Sequence, residues 1–180
     1  WANEKKIKVI TAGGGTKRGF GGLEPTADLC LSLAKMKGIV DHSPGDLTVK
    51  VKAGTKVAEL KAYLAQYGQT LALDPYWPEY ATIGGVIAAN DSGPKRLKYG
   101  SARDHILGLR VVYPDGRLIR TGGQVVKNVA GYDMNKLFVG SMGTLGVITE
   151  ATLKLRPLPR REALVLITFP EGELDRLEPF

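Results

Sequence analysis

The chain has 180 residues, 43% of them hydrophobic and 24% charged, which fits one globular domain or two small lobes with a core that needs no covalent staples. Its single cysteine, Cys30, excludes an internal disulfide framework and any cysteine-held zinc or iron–sulfur site confined to this chain, and makes a reducing, cytoplasmic compartment the expectation. The net charge of +7 asks for an anionic counterpart, but only "KKIK" (5–8) and "KRLK" (95–98) cluster and no nucleic-acid motif accompanies them, so nucleic acid is not expected.

Taken in chain order, "WANEKK" reads as the last turn of a helix without its N-cap. "IKVITA" is a strand running into glycines, and "ADLCLSL" (27–33) alternates as a second strand. "LTVKVKAG" (47–54) alternates with period two, placing Leu47, Val49 and Val51 on one face and the lysines on the other. The next stretch, "TKVAELKAYLAQYGQ", is a helix with Val57, Leu60, Tyr63, Leu64 and Tyr67 at helical spacing, Thr55 as N-cap and Gly68 as its stop. These elements make a β-β-β-α first lobe, residues 1–74.

"LDPYWPEYAT" leaves little room for regular structure. Beyond it, "TIGGVIAANDSG" is a short apolar segment opened by Thr82 and two glycines. "ILGLRVVYPDGRLIRTG" is a hairpin, two β-rich runs joined by "PDG". "YDMNKLFVGSMGTLG" reads as a short helix entering a glycine-spaced turn, followed by the long strand "VITEATLKLRPLP" and a further strand, "EALVLITF". The second lobe, residues 75–160, is thus a mostly antiparallel sheet with short helices, and residues 161–180 begin a region that the sequence does not complete. Both ends read as cut from a longer protein. No apolar run is long enough to span a bilayer. The βαβαβ rhythm of a doubly wound dinucleotide fold is missing, and the fold class is α+β.

Three loops stand out: "AGGGTKRG" (12–19), "TIGGVIAANDSG" (82–93) and "GSMGTLG" (140–146). Glycines let backbone N–H groups converge on an anion. A helix opening at Gly84–Gly85 would add its unpaired N–H groups, and Thr16 and Thr82 can each donate a hydroxyl. Three such loops imply one extended ligand threaded between two lobes. Lys17 follows Thr16 in the wrong order for a phosphate loop, and "GGGTKRG" does not open a helix in a βαβ unit, so neither nucleotide fingerprint applies.

The strings "GGGTKRGFGG", "ATIGGVIAANDSGPKRLKYGSARDHILGLRVVYPDGR" and "GSMGTLGVITEATLKL" resemble the FAD-binding domain of the vanillyl-alcohol oxidase and p-cresol methylhydroxylase (PCMH-type) superfamily. "GGQVVKNVAGYDMNKLFVGSMGTLGVITEATLKLRPLP" is most similar to the E-type subunit of bacterial glycolate oxidase. The resemblance implies a two-lobed domain that binds FAD. It implies that Gly13, Gly14, Gly15, Thr16 and Lys17 wrap the pyrophosphate, and that Thr82, Gly84 and Gly85 close on phosphates and flavin from the second lobe. Ser92, Gly93 and Gly100 would line the ribityl and pyrophosphate path with Asp104 fixing the turn nearby. Val147 and Ile148 would offer main-chain groups to a ring edge. Some relatives attach FAD through a histidine in the first loop. Thr16 occupies that neighbourhood here, so the expectation is noncovalent FAD.

The implied activity is oxidation of a small 2-hydroxy acid such as glycolate, with hydride passing from its α-carbon to flavin N5. Electrons would leave to other oxidase subunits, including an iron–sulfur subunit, through which membrane association would also arise. Two alternatives remain at this stage: a noncatalytic FAD-binding electron relay or scaffold, and a sugar-nucleotide reductase of the same superfamily. No catalytic residue and no metal site is assigned.

Other residues read more plainly. His42 in "VDHSPGD" is a surface turn residue; His105 is weighed for positioning near the cofactor; Cys30 is a small core or half-buried residue. Asp91 and Asp104 are expected to pair with Lys95, Arg96, Lys98 or Arg103. "GPKRLKYG" is a candidate docking patch. Tyr76 and Trp77 read as a packing plug or a stacking platform. Asn128, Tyr132 and Asp133 read as turn and N-cap chemistry.

Overall fold

The computed structural model describes residues 1–20, 22, 26–122 and 133–166. Its first β-branched run forms β1 (Val9–Ala12), which pairs in parallel with β2 (Leu29–Ser32). β3 (Ile39–Ser43) turns through a 3-10 turn at Pro44–Asp46 into the antiparallel β4 (Thr48–Lys52). The alternation in β4 has the expected outcome: Val49 and Val51 are buried and Lys52 is exposed.

α1 (Val57–Ala65) turns Val57, Leu60 and Leu64 into the core, and Gly68 follows it with φ 65°. Each such fully buried leucine contributes about 1.5–3 kcal/mol. Thr55 is not its N-cap. Lys56 holds that position, while the Thr55 hydroxyl accepts from the N–H of Gly38 at 3.0 Å and donates to its carbonyl at 3.3 Å. A tertiary contact outcompetes the local cap.

β5 (Gln69–Thr70) precedes the irregular, proline-rich stretch, and α2 (Ile83–Ala89), α3 (Arg96–Tyr99) and α4 (Ala102–His105) follow it. β6 (Ile106–Val112) and β7 (Leu118–Gly122) form the expected hairpin. α5 (Asn135–Phe138) leads through a turn to β8 (Val147–Lys154), and β9 (Arg156–Pro157) pairs with β5.

β8 is the middle of a five-stranded antiparallel sheet in the order β3-β4-β8-β6-β7. Val51 faces Ala151 on one side and Leu109 faces it on the other. Strand pairing therefore crosses residue 74. β3 and β4 belong to the large sheet, and β1–β2 is the small separate element within the expected first lobe. α2 packs on β4 and β8, and its Val86 and Ile87 join Leu60, Leu64, Leu109 and Leu153 in one core.

Residues 162–166, expected as part of a strand, carry no regular structure, and Leu164, Val165 and Leu166 are largely exposed. An apolar run becomes a strand only where a neighbour accepts its ladder, and among the described residues none does. The remainder of that expected strand and the rest of the region to residue 180 lie outside the described residues, as do Asn128 and Tyr132.

Candidate functional site

The three glycine loops meet. A cleft of about 850 Å3 is walled by residues 10–18 from β1 and its loop, by Thr82, Gly84, Gly85, Ala88 and Ala89 around α2, and by residues 142–144 and 146–148 before and within β8. Its volume lies toward the upper end of the roughly 300–1,000 Å3 typical of small-molecule sites. A second hollow of about 120 Å3, on the polar face of the sheet between Lys50, Arg110 and Arg120, is too small for an extended ligand.

The first loop is shaped by two glycines. At Gly14 a Cβ would run into the carbonyl oxygen of Tyr80, and Gly15 holds φ 74°, a region costly to side chains. The loop is thereby pressed against residues 80–82. Among the described residues, the backbone N–H groups of residues 14–18 donate to no protein acceptor. Consecutive unpaired N–H groups at the wall of a cleft form a concavity suited to an anion.

α2 behaves differently from expectation. Its first N–H groups are already used: Ile83 donates to Thr55 O at 2.9 Å, Gly84 to Ala53 O at 2.8 Å, and Gly85 to the capping Thr82 Oγ1 at 3.3 Å. The turn between β4 and α1 consumes the donors that a helix start normally leaves over. The wall contributed by Thr82, Gly84 and Gly85 is therefore a shaped surface, not a supply of free amides.

At the third loop, β4 stops pairing with β8 at Lys52 opposite Glu150, and Ala53 N–H takes Thr149 O at 2.8 Å. Val147 and Ile148 still pair with Val112 and Val111 of β6. Their other strand edge has no strand neighbour among the described residues and borders the cleft, so main-chain polar groups are available there with apolar side chains beside them.

Ser92, Gly93, Gly100 and Asp104 do not wall the cleft. Gly93 N–H donates to Asp74 Oδ1 at 3.1 Å and Lys95 N–H to Asp74 Oδ2 at 2.8 Å, which ties that loop to the irregular segment. Asp104 closes a capping box on α4, accepting from Ser101 N–H at 2.8 Å and Ser101 Oγ at 3.0 Å. The Ser101 backbone hydrogen bond holds its carboxyl below the ordinary value. Neither Asp91 nor Asp104 pairs with the "KRLK" cations: Asp91 instead meets Lys17 across 3.1 Å.

His42 is no turn residue. It sits in β3 opposite Val49, with Nε2 3.0 Å from Gln69 Oε1 and its ring edge-on to Tyr67 at 4.7 Å. His105 is buried and outside the cleft wall; burial, reinforced by nearby Arg156, pushes its imidazole below the ordinary value. Cys30 is exposed and lies on the cleft wall, on β2 of the small two-stranded sheet. Tyr76 and Trp77 form neither a plug nor a cleft wall; they are exposed and stand around the Lys17 ammonium. Sequence reasoning missed the Lys17–Asp91 pair and the wall residue Ala53, whereas Met142 and Thr144 lie within the third glycine loop that the sequence marks. The placement of Lys17, Asp91 and Ala53 is set by sheet topology and carries no local pattern.

Comparison with known proteins places this geometry in context. A family model described as FAD binding domain matches residues 1–122. The chain is 39% identical to glycolate oxidase subunit GlcE of Escherichia coli (strain K12) over 86% of its own length and 44% of that protein. It is 39% identical to glycolate oxidase subunit GlcD of Bacillus subtilis (strain 168), covering 93% of the chain and 36% of the relative. It is 38% identical to the mitochondrial D-lactate dehydrogenase (cytochrome) of Arabidopsis thaliana, covering 93% and 29%. A solved structure of alkyldihydroxyacetonephosphate synthase superposes with a TM-score of 0.76 at 29% identity, covering 89% of this chain and 29% of that one. The chain thus spans less than half the length of each of these relatives.

Proposed function

The chain belongs to the FAD binding domain family, of the PCMH type, and FAD is its cofactor; from that premise we propose that it serves as the FAD-holding part of a flavin-dependent 2-hydroxy-acid oxidoreductase. The observation that carries this reading is the convergence of three glycine loops on one cleft of about 850 Å3. When bound, FAD supplies the two-electron redox chemistry, and the protein's part is to bind, orient and shield it.

The residues present fit that cofactor. Gly13, Gly14, Gly15, Thr16 and the unpaired amides up to residue 18 offer the diphosphate its hydrogen bonds. Thr82, Gly84 and Gly85 give a close-packed wall without competing side chains. Val147 and Ile148 give a ring edge main-chain partners and apolar cover, which excludes water from that side. Gly93, Gly100 and Asp104 act outside the cleft wall, Gly93 by its bond to Asp74, Gly100 by ending α3 and Asp104 by capping α4, while the Ser92 hydroxyl has no hydrogen-bond partner among the described residues. FAD is held noncovalently, since Thr16 stands where a bonding histidine would be needed and His42 and His105 are both occupied elsewhere.

The substrate class we propose is a small 2-hydroxy acid, in line with relatives named for glycolate and D-lactate. Electron transfer to further subunits is part of the same proposal, suggested by relatives named as subunits. Among the described residues no helix is long and apolar enough to cross a membrane. The test is reconstitution: purified chain plus FAD, desalting, a visible spectrum, then acid precipitation. Retained flavin colour that moves to the supernatant is expected. Colour left in the pellet would overturn noncovalent binding, and no retained flavin in a folded chain would overturn the cofactor assignment of the cleft.

A further inference from the structure

The first glycine loop carries two adjacent cations, and their surroundings differ. Lys17 Nζ lies 3.1 Å from Asp91 Oδ2, and the two side chains keep only 15% and 9% of their surface exposed. The rings of Phe20, Tyr76 and Trp77 stand 5.4, 5.2 and 5.9 Å from the same ammonium. A lysine so neutralised and covered has little charge left for a phosphate. Recruiting it would leave the Asp91 carboxylate nearly buried without compensation. Asp91 is also anchored through its backbone, which donates to Val86 O at 3.0 Å just past the C-terminal end of α2.

Arg18 is the contrasting case. Among the described residues it belongs to no ion pair, and it lines the cleft. Its Nε and Cδ lie 3.5 and 3.9 Å from where a Cβ on Gly15 would be, so its side chain folds back over the glycine that bends the loop. That puts a guanidinium stem beside the unpaired amides of residues 14–18. A planar guanidinium has five donors and matches two phosphate oxygens at once.

We propose that the two cations divide the work: Lys17 is a latch that ties the glycine loop to the end of α2 through Asp91, and Arg18 is the side chain that clamps the diphosphate. The Arg18 half rests on the FAD reading given above; the latch half needs no ligand. Arg18 is a binding residue on this account, and Lys17 is a positioning residue.

The experiment compares Asp91→Asn, Lys17→Met, their double mutant, Arg18→Gln and Arg18→Lys with the unaltered chain. FAD binding is read by flavin fluorescence, ADP by competition, and ligand-free stability by thermal melting. The latch predicts that D91N and K17M each lower the ligand-free melting temperature, that the double mutant loses less than the sum, and that D91N does not tighten ADP. The clamp predicts that R18Q weakens both FAD and ADP at least tenfold with an unchanged ligand-free melting temperature, and that R18K recovers part of the loss. Tighter FAD and ADP binding by D91N with unchanged melting would make Lys17 the phosphate cation and overturn the division. Unchanged ADP binding by R18Q would overturn the clamp. An unaltered chain that binds neither FAD nor ADP would sink the clamp together with the cofactor reading, and melting of the ligand-free proteins would still decide the latch.

Discussion

At the scale of single residues, the site depends on which polar groups the protein leaves unspent. Gly84 and Gly85 were expected to supply free amides and do not, because Ala53, Thr55 and Thr82 accept from that helix start. The amides of residues 14–18 remain. Sequence shows glycines in both loops with equal force; only the fold tells which N–H groups have partners. His105 gives a separate residue-scale test. Its folded value lies below the ordinary 6.5 because burial opposes the charged ring. The unfolded chain therefore takes up a proton first on acidification, and the stability His105 contributes is present above about pH 6.5 and is lost as pH falls toward its folded value. The depressed carboxyl of Asp104 acts only below the ordinary 3.8, well clear of that window. Between pH 7 and 5, the melting temperature of the unaltered chain should fall more steeply than that of His105→Gln. Parallel profiles would contradict the assignment.

Elements were legible where local pattern and tertiary demand agree. β4 alternates, α1 repeats at helical spacing and β6–β7 joins through "PDG", and all three form as read. They failed where a distant contact overruled a local preference, as when Gly38 claimed the Thr55 hydroxyl, or where an apolar run had no strand to pair with among the described residues, as at 162–166. α2 is a case in which local capping holds. Thr82 Oγ1 accepts from Gly85 N–H, and removing such a cap costs about 1 kcal/mol. Thr82→Ala should lower the unfolding free energy by that amount, moving the denaturant midpoint down with an unchanged slope, since no extra surface is exposed. A stability equal to that of the unaltered chain would mean that Ala53 and Thr55 alone position the helix start.

At the scale of the whole molecule, the cleft exists because the chain leaves the β1–β2 element, builds the large sheet, and returns through β8 between β4 and β6. No local signal encodes that return, and the two-lobe division at residue 74 did not anticipate it; the register of Val51 with Ala151 gives it physical form. On the proposed function, the glycine loop after β1 meets the cofactor with its backbone while the start of α2 does not. Amide hydrogen exchange with and without FAD tests this most directly. Slow exchange is expected at residues 83–85 in both states, and slowing at residues 14–18 only when FAD is added. Added FAD that protects residues 83–85 while leaving 14–18 unchanged would contradict it.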